Sequence, residues 1–550
     1  MKSIKTEELE CPHVILSSRR RRAVTVGVML GLFIAALEAT VVGTAMPRVI
    51  ASLGGMDHYS WVFSAYLVTA TVTIPVWGRL SDLYGRRPLY LIGVATFLAG
   101  SALSGASATI TQLILFRALQ GLGAGALVPL SLTINGDIYT LRERTQVQGL
   151  FSGVWGLASI VGPPMGGLIT DQLSWRWVFY INIPFGLAAA LIVGAALKEP
   201  KREEHPVIDY AGAGSLAAAI TLLLVALVES GNPATRKSPL MAAAIIGMLV
   251  FGALFVHAEK NAREPILPFS LFRNRLLLVA SIINLMIGTA MFGALTFVPL
   301  FVQGALGGTA TQAGLVLTPF LLGWVVLSVI GGRLMLRVGY RPTVIAGLIF
   351  IAVSFVVLAT FGEGTPRALL LGDVALMGSG IGLVALILLI TSQNSVPREE
   401  LGIATSLNQF FRLIGGAVGV AALGTVLTVG LTGQLSDIQQ SSGLPREQVA
   451  SIVQNPSALV EPSARALLPP ALLVALKTGL ARALHNVFIL GAVFAGLALA
   501  AGFWLPAHWT NKEPSLEPPN PYSAKECERL LMADMTAIDP KNEPVAELRD

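Results

Sequence analysis

Charged residues are scarce in this chain of 550 residues. Asp, Glu, Lys and Arg together make up 13% of it, whereas 54% of the residues are hydrophobic. A soluble domain typically has about 25% charged residues. So little charge cannot cover the surface of a water-soluble protein of this length. The composition therefore excludes a soluble globular protein and indicates a membrane protein.

Cysteine and histidine are also rare, with two and six residues in the whole chain. Cys11 and Cys527 stand near opposite termini, a spacing that fits neither a metal site nor a structural disulfide. The chain lacks a GxxxxGK(S/T) phosphate-binding loop and a GxSxG nucleophile elbow. These absences argue against an ATP-driven pump, a metalloenzyme and a hydrolase. We therefore predict neither an enzyme nor a bound cofactor.

Long hydrophobic runs are what the chain has in abundance. Each run is continuous rather than alternating, and at roughly 18 residues or more it can cross a hydrocarbon core of about 30 Å as a helix. The first run is too long for a signal-peptide core and has no evident cleavage site, so we interpret it as a retained span. We predict fourteen transmembrane helices, at residues 24–46, 60–80, 88–108, 112–134, 146–169, 177–197, 208–229, 239–257, 277–302, 312–334, 343–361, 368–391, 403–430 and 484–505.

The basic residues give the orientation of these spans. An even number of spans places both termini on one side, and Lys and Arg concentrate in cytoplasmic loops. With cytoplasmic termini, most of the 38 Lys and Arg fall in inside segments, beginning with the four-arginine run at 19–22. The net charge of +6 is thus spread over short loops rather than gathered in one patch, so we expect no nucleic-acid partner.

The segments outside the spans are a basic cytoplasmic N-terminus at 1–22, a cytoplasmic tail at 506–550 and one long extracytoplasmic segment at 431–483. Residues 466–484 have the composition of an amphipathic helix that could lie on the membrane surface. The alternative interpretation of the long segment is an extracytoplasmic cap with no direct role in function.

The two halves of the chain repeat each other. GRLSDLYGRRP at 78–88 matches GRLMLRVGYRP at 332–342 at six of eleven positions. ALQGLGAG at 118–125 matches ALMGSGIG at 375–382 at five of eight positions. The repeat therefore pairs spans one to six with spans nine to fourteen.

This pairing predicts the domain organisation. A six-helix bundle at 23–198 is followed by an inserted pair of helices with linkers at 199–263 and by a second six-helix bundle at 264–505. Two such repeats, related by an axis along the membrane normal, are typical of transporters. Their substrate site lies near the midplane between the bundles.

Several motifs in a fixed order are similar to those of a known family. LEATVV at 37–42 is followed by AMP at 45–47, RALQGLG at 117–123, GPPMGG at 162–167, WRWVFYINIP at 175–184 and EPILP at 264–268. Together with GRLSDLYGRRP, these segments resemble the motifs of the major facilitator superfamily, in its fourteen-span drug:proton antiporter branch. The resemblance runs from about residue 23 to 505. It implies an all-α membrane protein of two six-helix bundles with two inserted transmembrane helices.

The resemblance implies a role in proton coupling for Glu38 and Arg117. Glu38 lies well inside the first span, where a charge is costly unless it is paired or neutralised, so this carboxylate is the candidate proton carrier. The family often has Asp at this position. Arg117 stays charged and is expected to hold a carboxylate or to tune the proton affinity of Glu38.

Two further charges interrupt the second half. Asp373, near the outer end of span twelve, is a candidate second protonatable or cation-attracting carboxyl, with an ordinary helix-start residue as the alternative. Arg412, inside span thirteen, either takes part in transport or extends toward the membrane interface.

The loop after the second span forms a gate latch in the family. The resemblance implies that Asp82, Arg86 and Arg87 pair with the other bundle when the transporter faces outward. Gly78 and Gly85 would permit a tight turn and a close approach. Anchoring by positive charge explains the arginines but not Asp82. The second repeat has leucine in place of this aspartate, so we expect an asymmetric latch.

The fifth span contains small and helix-breaking residues, namely Gly162, Pro163, Pro164, Gly166 and Gly167. Proline removes a backbone donor and bends a helix, and small residues let helices pack closely. The resemblance implies a bend that favours antiport by sealing one access path. Ordinary small-residue packing is the alternative.

We therefore expect a secondary exporter in a bacterial-type cytoplasmic membrane, functional as a monomer. Protons moving inward would drive amphipathic or cationic drugs and toxic compounds outward, and the charged form of Glu38 would attract a cationic substrate. The expected partners are a lipophilic small molecule, protons and the lipid bilayer. The rival interpretations are an exporter dedicated to one endogenous metabolite, lipid, siderophore or antibiotic, an uptake symporter or uniporter, and a non-transporting membrane sensor or scaffold.

The two cysteines allow a direct test of the predicted topology. A membrane-impermeant maleimide should label Cys11 and Cys527 in inside-out vesicles and leave both unlabelled in right-side-out vesicles, as measured by the mass shift of the protein. The variants Cys11→Ser and Cys527→Ser assign each label to its residue. Labelling of the two cysteines from opposite sides would mean an odd number of spans.

Overall fold

The computed structural model describes residues 16–53, 59–199, 209–230, 238–262, 265, 267–308, 310–434 and 470–506. Within these ranges the chain forms α-helices and short 3-10 or π turns, with no strand. The first seven helices are α1 (Ser18–Leu53), α2 (Tyr59–Tyr84), α3 (Arg86–Ala106), α4 (Ile110–Ile138), α5 (Leu141–Gln172), α6 (Trp177–Tyr180) and α7 (Asn182–Ala196). The other eight are α8 (Tyr210–Ser230), α9 (Pro239–Asn261), α10 (Arg275–Leu300), α11 (Ala310–Val338), α12 (Tyr340–Ala359), α13 (Arg367–Asn394), α14 (Leu401–Gly433) and α15 (Pro470–Gly502).

The helices match the hydrophobic runs of the sequence. Twelve helices in the described ranges are long and apolar enough to cross a membrane. Two predicted spans lie outside that set: 146–169 falls on α5, and 208–229 falls on α8, whose apolar stretch Ala211–Leu227 is shorter. The chain is thus an all-helical, multi-pass membrane protein, and the count of fourteen spans stays a prediction.

The helices gather into two bundles, each with its own apolar core. In the first bundle, Tyr90, Phe97 and Leu130 are fully buried between α3 and α4 and their neighbours. In the second, the rings of Phe301 and Phe488 meet edge to face with centroids 6.1 Å apart. Since lipid supplies no hydrophobic drive between helices, close packing of this kind holds each bundle together.

The inserted helices α8 and α9 lie against the seam between the bundles. Leu216 and Ile220 of α8 belong to one buried cluster with Val72 of α2 and Leu407 of α14. Only 11% of the most apolar stretch of α9 is buried within the protein. Its side chains, such as Leu249, are apolar and exposed, as a lipid-facing helix requires.

The repeat detected in the sequence is visible in the backbone. Gly85, between α2 and α3, and Gly339, between α11 and α12, both have a φ of 94°. Only glycine adopts this region without strain, so the same residue makes the same sharp turn in both halves.

The helix expected on the membrane surface at 466–484 is not a separate element in the part that the structure describes. The last helix begins at Pro470 and continues without a break to Gly502. Residues 470–483 therefore form the first turns of the last span, and that prediction is wrong for them. Their apolar side chains, such as Leu476 and Leu480, pack into the core of the second bundle. The rest of the predicted extracytoplasmic segment, 435–469, lies outside the described residues.

Close helix contact in the second bundle depends on a glycine of α13. A Cβ atom on Gly378 would lie 2.6 Å from the carbonyl carbon and 2.8 Å from the Cα atom of Phe320 on α11. Backbone atoms cannot rotate away from such a contact as a side chain can. On the same helix, a Cβ atom on Gly372 would meet nothing within 4 Å.

These two glycines form a matched pair for a stability test. Gly378→Ala should destabilise the protein by about 1–3 kcal/mol, because overpacking forces the two helices apart. Gly372→Ala should leave stability unchanged or raise it slightly, because alanine is the better helix former. Thermal unfolding of the purified variants in detergent measures both effects. Equal melting temperatures for the two variants would contradict the assigned contact.

Candidate functional site

Glu38 and Arg117 form a buried ion pair inside the first bundle. Each residue is 2% exposed, Glu38 on α1 and Arg117 on α4. The guanidinium of Arg117 donates to Oε1 of Glu38. Nδ2 of Asn182, at the start of α7, donates to Oε2 of Glu38 over 2.7 Å. Both oxygens of the carboxylate thus have a donor, which offsets the cost of a charge among apolar helices.

Arg117 has further partners that fix its position. Nη1 also donates to Oε1 of Gln120 over 2.8 Å, and Nε donates to the carbonyl oxygen of Val62 over 3.3 Å. The central carbon of the guanidinium lies 4.2 Å from the ring centroid of Tyr66 and 5.9 Å from that of Phe179. Aromatic faces attract such a cation and also shield the ion pair from water.

Sequence reasoning assigned no role to Asn182, although the motif that contains it was recognised. The residue is 1% exposed, and besides Glu38 it donates to Oγ of Ser101 on α3 over 3.0 Å. The available signal was an amide between Ile181 and Ile183 in an otherwise apolar stretch. An amide at such a position needs a buried partner.

The fifth helix approaches the ion pair through Gly162. A Cβ atom there would lie 2.9 Å from Cβ of Thr40, two residues beyond Glu38 on α1. Oγ1 of Thr40 donates to the carbonyl oxygen of Ala158 on α5 over 3.2 Å. Helix α5 continues through Gly162, Pro163, Pro164, Gly166 and Gly167, so these residues do not end it. Their role as an antiport bend stays a prediction, whereas the contact of Gly162 with α1 is a packing contact.

Asp373 lies in the second bundle, apart from the Glu38 cluster. It is 6% exposed on α13, and Oγ of Ser354 on α12 donates to its Oδ2 over 3.0 Å. Its Oδ1 atom has no hydrogen-bond partner among the described residues. This carboxyl group is therefore more deeply buried than an ordinary helix-start residue near the headgroups.

Asp82 joins the two bundles at their cytoplasmic ends. Its Oδ1 accepts a hydrogen bond from the amide of Gly402 and its Oδ2 one from the amide of Ile403, both over 2.8 Å. These amides belong to the first turn of α14, where free N–H groups and the helix dipole favour an anion. The aspartate of the first bundle thus caps a helix of the second.

Arg86 extends this latch. Its guanidinium lies 2.6 Å from Oδ1 of Asp82 and 3.0 Å from Oδ2 of Asp137, and it donates to the carbonyl oxygen of Arg398 over 3.1 Å. Nε of Arg398 lies 3.6 Å from Oδ1 of Asp137. The side chain of Arg87 is exposed, so only the backbone of this residue lies near the latch. Sequence reasoning missed Asp137 and Arg398, because no motif linked them to the loop.

Gly78 permits the approach of the two helices. A Cβ atom on it would lie 2.7 Å from Cβ of Ser406 and 2.8 Å from the carbonyl oxygen of Gly402. Nearby, Arg144 of α5 donates to Oδ1 of Asn394 on α13 over 2.8 Å. These contacts between the bundles cluster at the ends that the sequence predicts to be cytoplasmic.

A cavity of about 90 Å³ lies between the two bundles. Helices α1, α4 and α5 line it from one side and α11, α13 and α14 from the other. Its aromatic and polar lining residues include Phe151, Trp155, Trp324, Gln148, Gln409 and Arg412. Glu38, Arg117 and Asp373 do not line this cavity. The volume suits a few water molecules, so a drug-sized substrate requires the bundles to move apart.

Loss of the Asp82 carboxylate should open the cytoplasmic side. Asp82→Asn removes charge-assisted hydrogen bonds worth roughly 1.5–3 kcal/mol, which corresponds to about a tenfold or larger rise in the open population. A cysteine at Ser328, which lines the cavity and is fully buried, should then react about tenfold faster with a maleimide added from the cytoplasmic side. The background carries Cys11→Ser and Cys527→Ser.

Glu199 supplies a matched control for this measurement. Its carboxylate, at the start of the linker that follows the first bundle, accepts hydrogen bonds from the backbone amides of Arg86 and Arg87, over 2.9 and 3.1 Å. Glu199→Gln therefore alters the same kind of contact without touching the other bundle. Equal acceleration by both variants would remove Asp82 from the gate.

Comparison with known proteins agrees with this architecture. Residues 28–420 match the sequence model of the Major Facilitator Superfamily. The chain is 37% identical to the multidrug transporter protein MdtP of Bacillus subtilis, over 90% of this chain and 95% of that protein. It is 34% identical to multidrug resistance protein 3 of the same organism, over 86% of this chain and 92% of that protein.

Solved structures share the fold at low sequence identity. The human organic anion transporter MFSD10 superposes with a TM-score of 0.58 at 16% identity, covering 88% of this chain and 99% of that one. The proton:xylose symporter XylE superposes with a TM-score of 0.55 at 13% identity, covering 89% and 97%. Two latched helical bundles around a central cavity, and a family match over most of the chain, lead to one conclusion: this protein is a transporter of the major facilitator superfamily.

Proposed function

We propose that the protein is a secondary active exporter that exchanges protons moving inward for amphipathic compounds moving outward. The transporter fold and the relatives named as multidrug transporters support export of this kind. Alternating access would follow from rocking of the two bundles about the central cavity.

The buried ion pair of Glu38 and Arg117 is the observation that carries the proposal. Protonation of Glu38 removes its charge and leaves Arg117 with the neutral partners Gln120 and Val62. Breaking a buried pair typically costs about 3–5 kcal/mol. That cost corresponds to a population ratio of roughly hundreds to thousands between two conformations. The protonated and deprotonated forms would therefore prefer different conformations, as proton coupling requires.

The latch at Asp82 would control access of the substrate from the cytoplasm. On this proposal, its hydrogen bonds to the first turn of α14 hold the cytoplasmic side closed. Release of the latch would expose the central cavity to the cytoplasm, where the substrate enters. Outward export then needs the latch to form again after loading.

A dedicated exporter of one endogenous metabolite, lipid, siderophore or antibiotic would use the same machinery. Resistance of cells that express the protein separates the two candidates. Protection against several chemically unrelated toxic compounds favours a multidrug exporter, whereas protection against one compound favours the dedicated one. Transport measured in inverted vesicles separates export from uptake.

Proton flux tests the role of Glu38. In proteoliposomes, substrate addition should cause proton movement with the wild-type protein, whereas Glu38→Gln should lose at least nine tenths of that flux. The amide cannot ionise but keeps the size of the side chain. Substrate exchange without a pH gradient should persist in Glu38→Gln, because the cavity does not include this residue.

Glu143 supplies the control carboxylate. It pairs with Arg21 over 2.8 Å, its side chain is 37% exposed, and it lies outside the ion pair of the first bundle. Glu143→Gln should leave the coupled flux unchanged. Normal coupled flux in Glu38→Gln would show that this residue does not carry the proton.

A further inference from the structure

Among the residues that the structure describes, Arg412 has no carboxylate partner, although it is a cation within an apolar helix long enough to cross a membrane. It lies eleven residues after Leu401, the first residue of the 33-residue helix α14, which is about 16 Å along the helix at 1.5 Å per residue. The stretch Arg398–Leu431 that contains it is long and apolar enough to cross a membrane. Its described hydrogen bond goes to the neutral Oε1 of Gln409. It lines the central cavity.

Two other buried arginines, Arg86 and Arg117, differ in this respect. Arg86 pairs with Asp82 and Asp137, and Arg117 pairs with Glu38. Each of these cations therefore has its counter-charge within the first bundle. In the described lining of the cavity, by contrast, there is no Asp or Glu. A charge in the membrane is costly unless it is paired. An anion bound in the cavity would supply the counter-charge that Arg412 lacks there.

The other side chains that line the cavity indicate what kind of ligand it binds besides the acidic group. Phe151 and Trp155 of α5 and Trp324 of α11 line the cavity together with aliphatic side chains. Such a surface binds an apolar or aromatic body, and the guanidinium fork of arginine binds a carboxylate, sulfonate or phosphate group with two parallel hydrogen bonds.

We propose that the central cavity selects amphipathic anions, whose acidic group binds Arg412 while the apolar body lies between the aromatic side chains of α5 and α11. This assignment rests on the proposed export function and names its substrate class. It also replaces the expectation of cationic substrates, because the negative charge that would attract them, on Glu38, is paired with Arg117 and does not line the cavity.

Three dansyl compounds with the same aromatic body test the charge preference. Dansylglycine is an anion, its methyl ester is neutral and dansylcadaverine is a cation. Binding to the purified protein is followed by energy transfer from the tryptophans, two of which line the cavity. The wild-type protein should bind dansylglycine at least tenfold more tightly than dansylcadaverine, with the ester between them. Equal affinities, a preference for the cation, or no binding of dansylglycine would overturn the proposal.

Variants of Arg412 test whether this residue causes the preference for the anion. Arg412→Gln should weaken dansylglycine binding at least tenfold and leave the ester unaffected or bound more tightly. Arg412→Lys keeps the positive charge and should retain a preference for the anion. Arg333→Gln, an exposed arginine of α11 outside the cavity lining, should change nothing. If Arg412→Gln does not fold, loss of the anion preference in a folded Arg412→Lys protein still overturns the proposal.

The binding assay needs no proton gradient, so it separates this inference from the proposed function. If anion binding depends on Arg412 but coupled flux stays normal in Glu38→Gln, the proposed proton mechanism is wrong and the substrate class stands. If coupled flux depends on Glu38 but the protein prefers the cation, the proposed substrate class is wrong and the proton mechanism stands.

Discussion

Charges inside the membrane-spanning helices need a compensating partner, and this need decides where the helices of this protein meet. Glu38 and Arg117 compensate each other within one bundle and tie α1 to α4. Asp82 differs, because besides its pair with Arg86 in the same bundle it accepts hydrogen bonds from amides in the first turn of α14 in the other bundle. Movement of one bundle relative to the other does not pull the pair of Glu38 and Arg117 apart, so on the proposed mechanism it breaks only when Glu38 is protonated. On the proposed mechanism, the contact between the bundles breaks whenever access alternates, so the two charged sites respond to different events, protonation in one case and movement of the bundles in the other.

The two repeats keep their geometry but not their charge. Gly85 and Gly339 make the same turn with the same positive φ, because the connection between the helices requires it in both halves. The carboxylate of Asp82, however, is replaced in the second repeat by Leu336, a side chain that is 46% exposed. The fold thus requires the glycine turn in both repeats, whereas only the first repeat carries a carboxylate in this loop.

The sequence predicted what depends on local pattern. Runs of apolar residues located the helices, the repeated loop located both glycine turns, and the rarity of charge in the spans singled out Glu38. Asn182 and Asp137 were missed, because their importance depends on which helices pack together, and hydrophobicity alone does not determine that. The start of the last helix at Pro470 was missed for a different reason. Its first turns contain Lys477 and Arg482, which lower the apolar content of the segment although the backbone stays helical.

Helix α4 connects the separate parts of the proposed mechanism. Arg117 stands near one end of it and Asp137 near the other, twenty residues or about 30 Å apart. Between them, Val128 and Leu132 line the central cavity. The helix packs along α2, which carries Asp82. On the proposed mechanism, protonation of Glu38 frees Arg117 and shifts α4 relative to α1. A packed helix of this length moves as a rigid body, so a shift at its outer end also displaces the cavity wall and the latch. Coupling then needs no chain of side-chain rearrangements between the proton site and the gate.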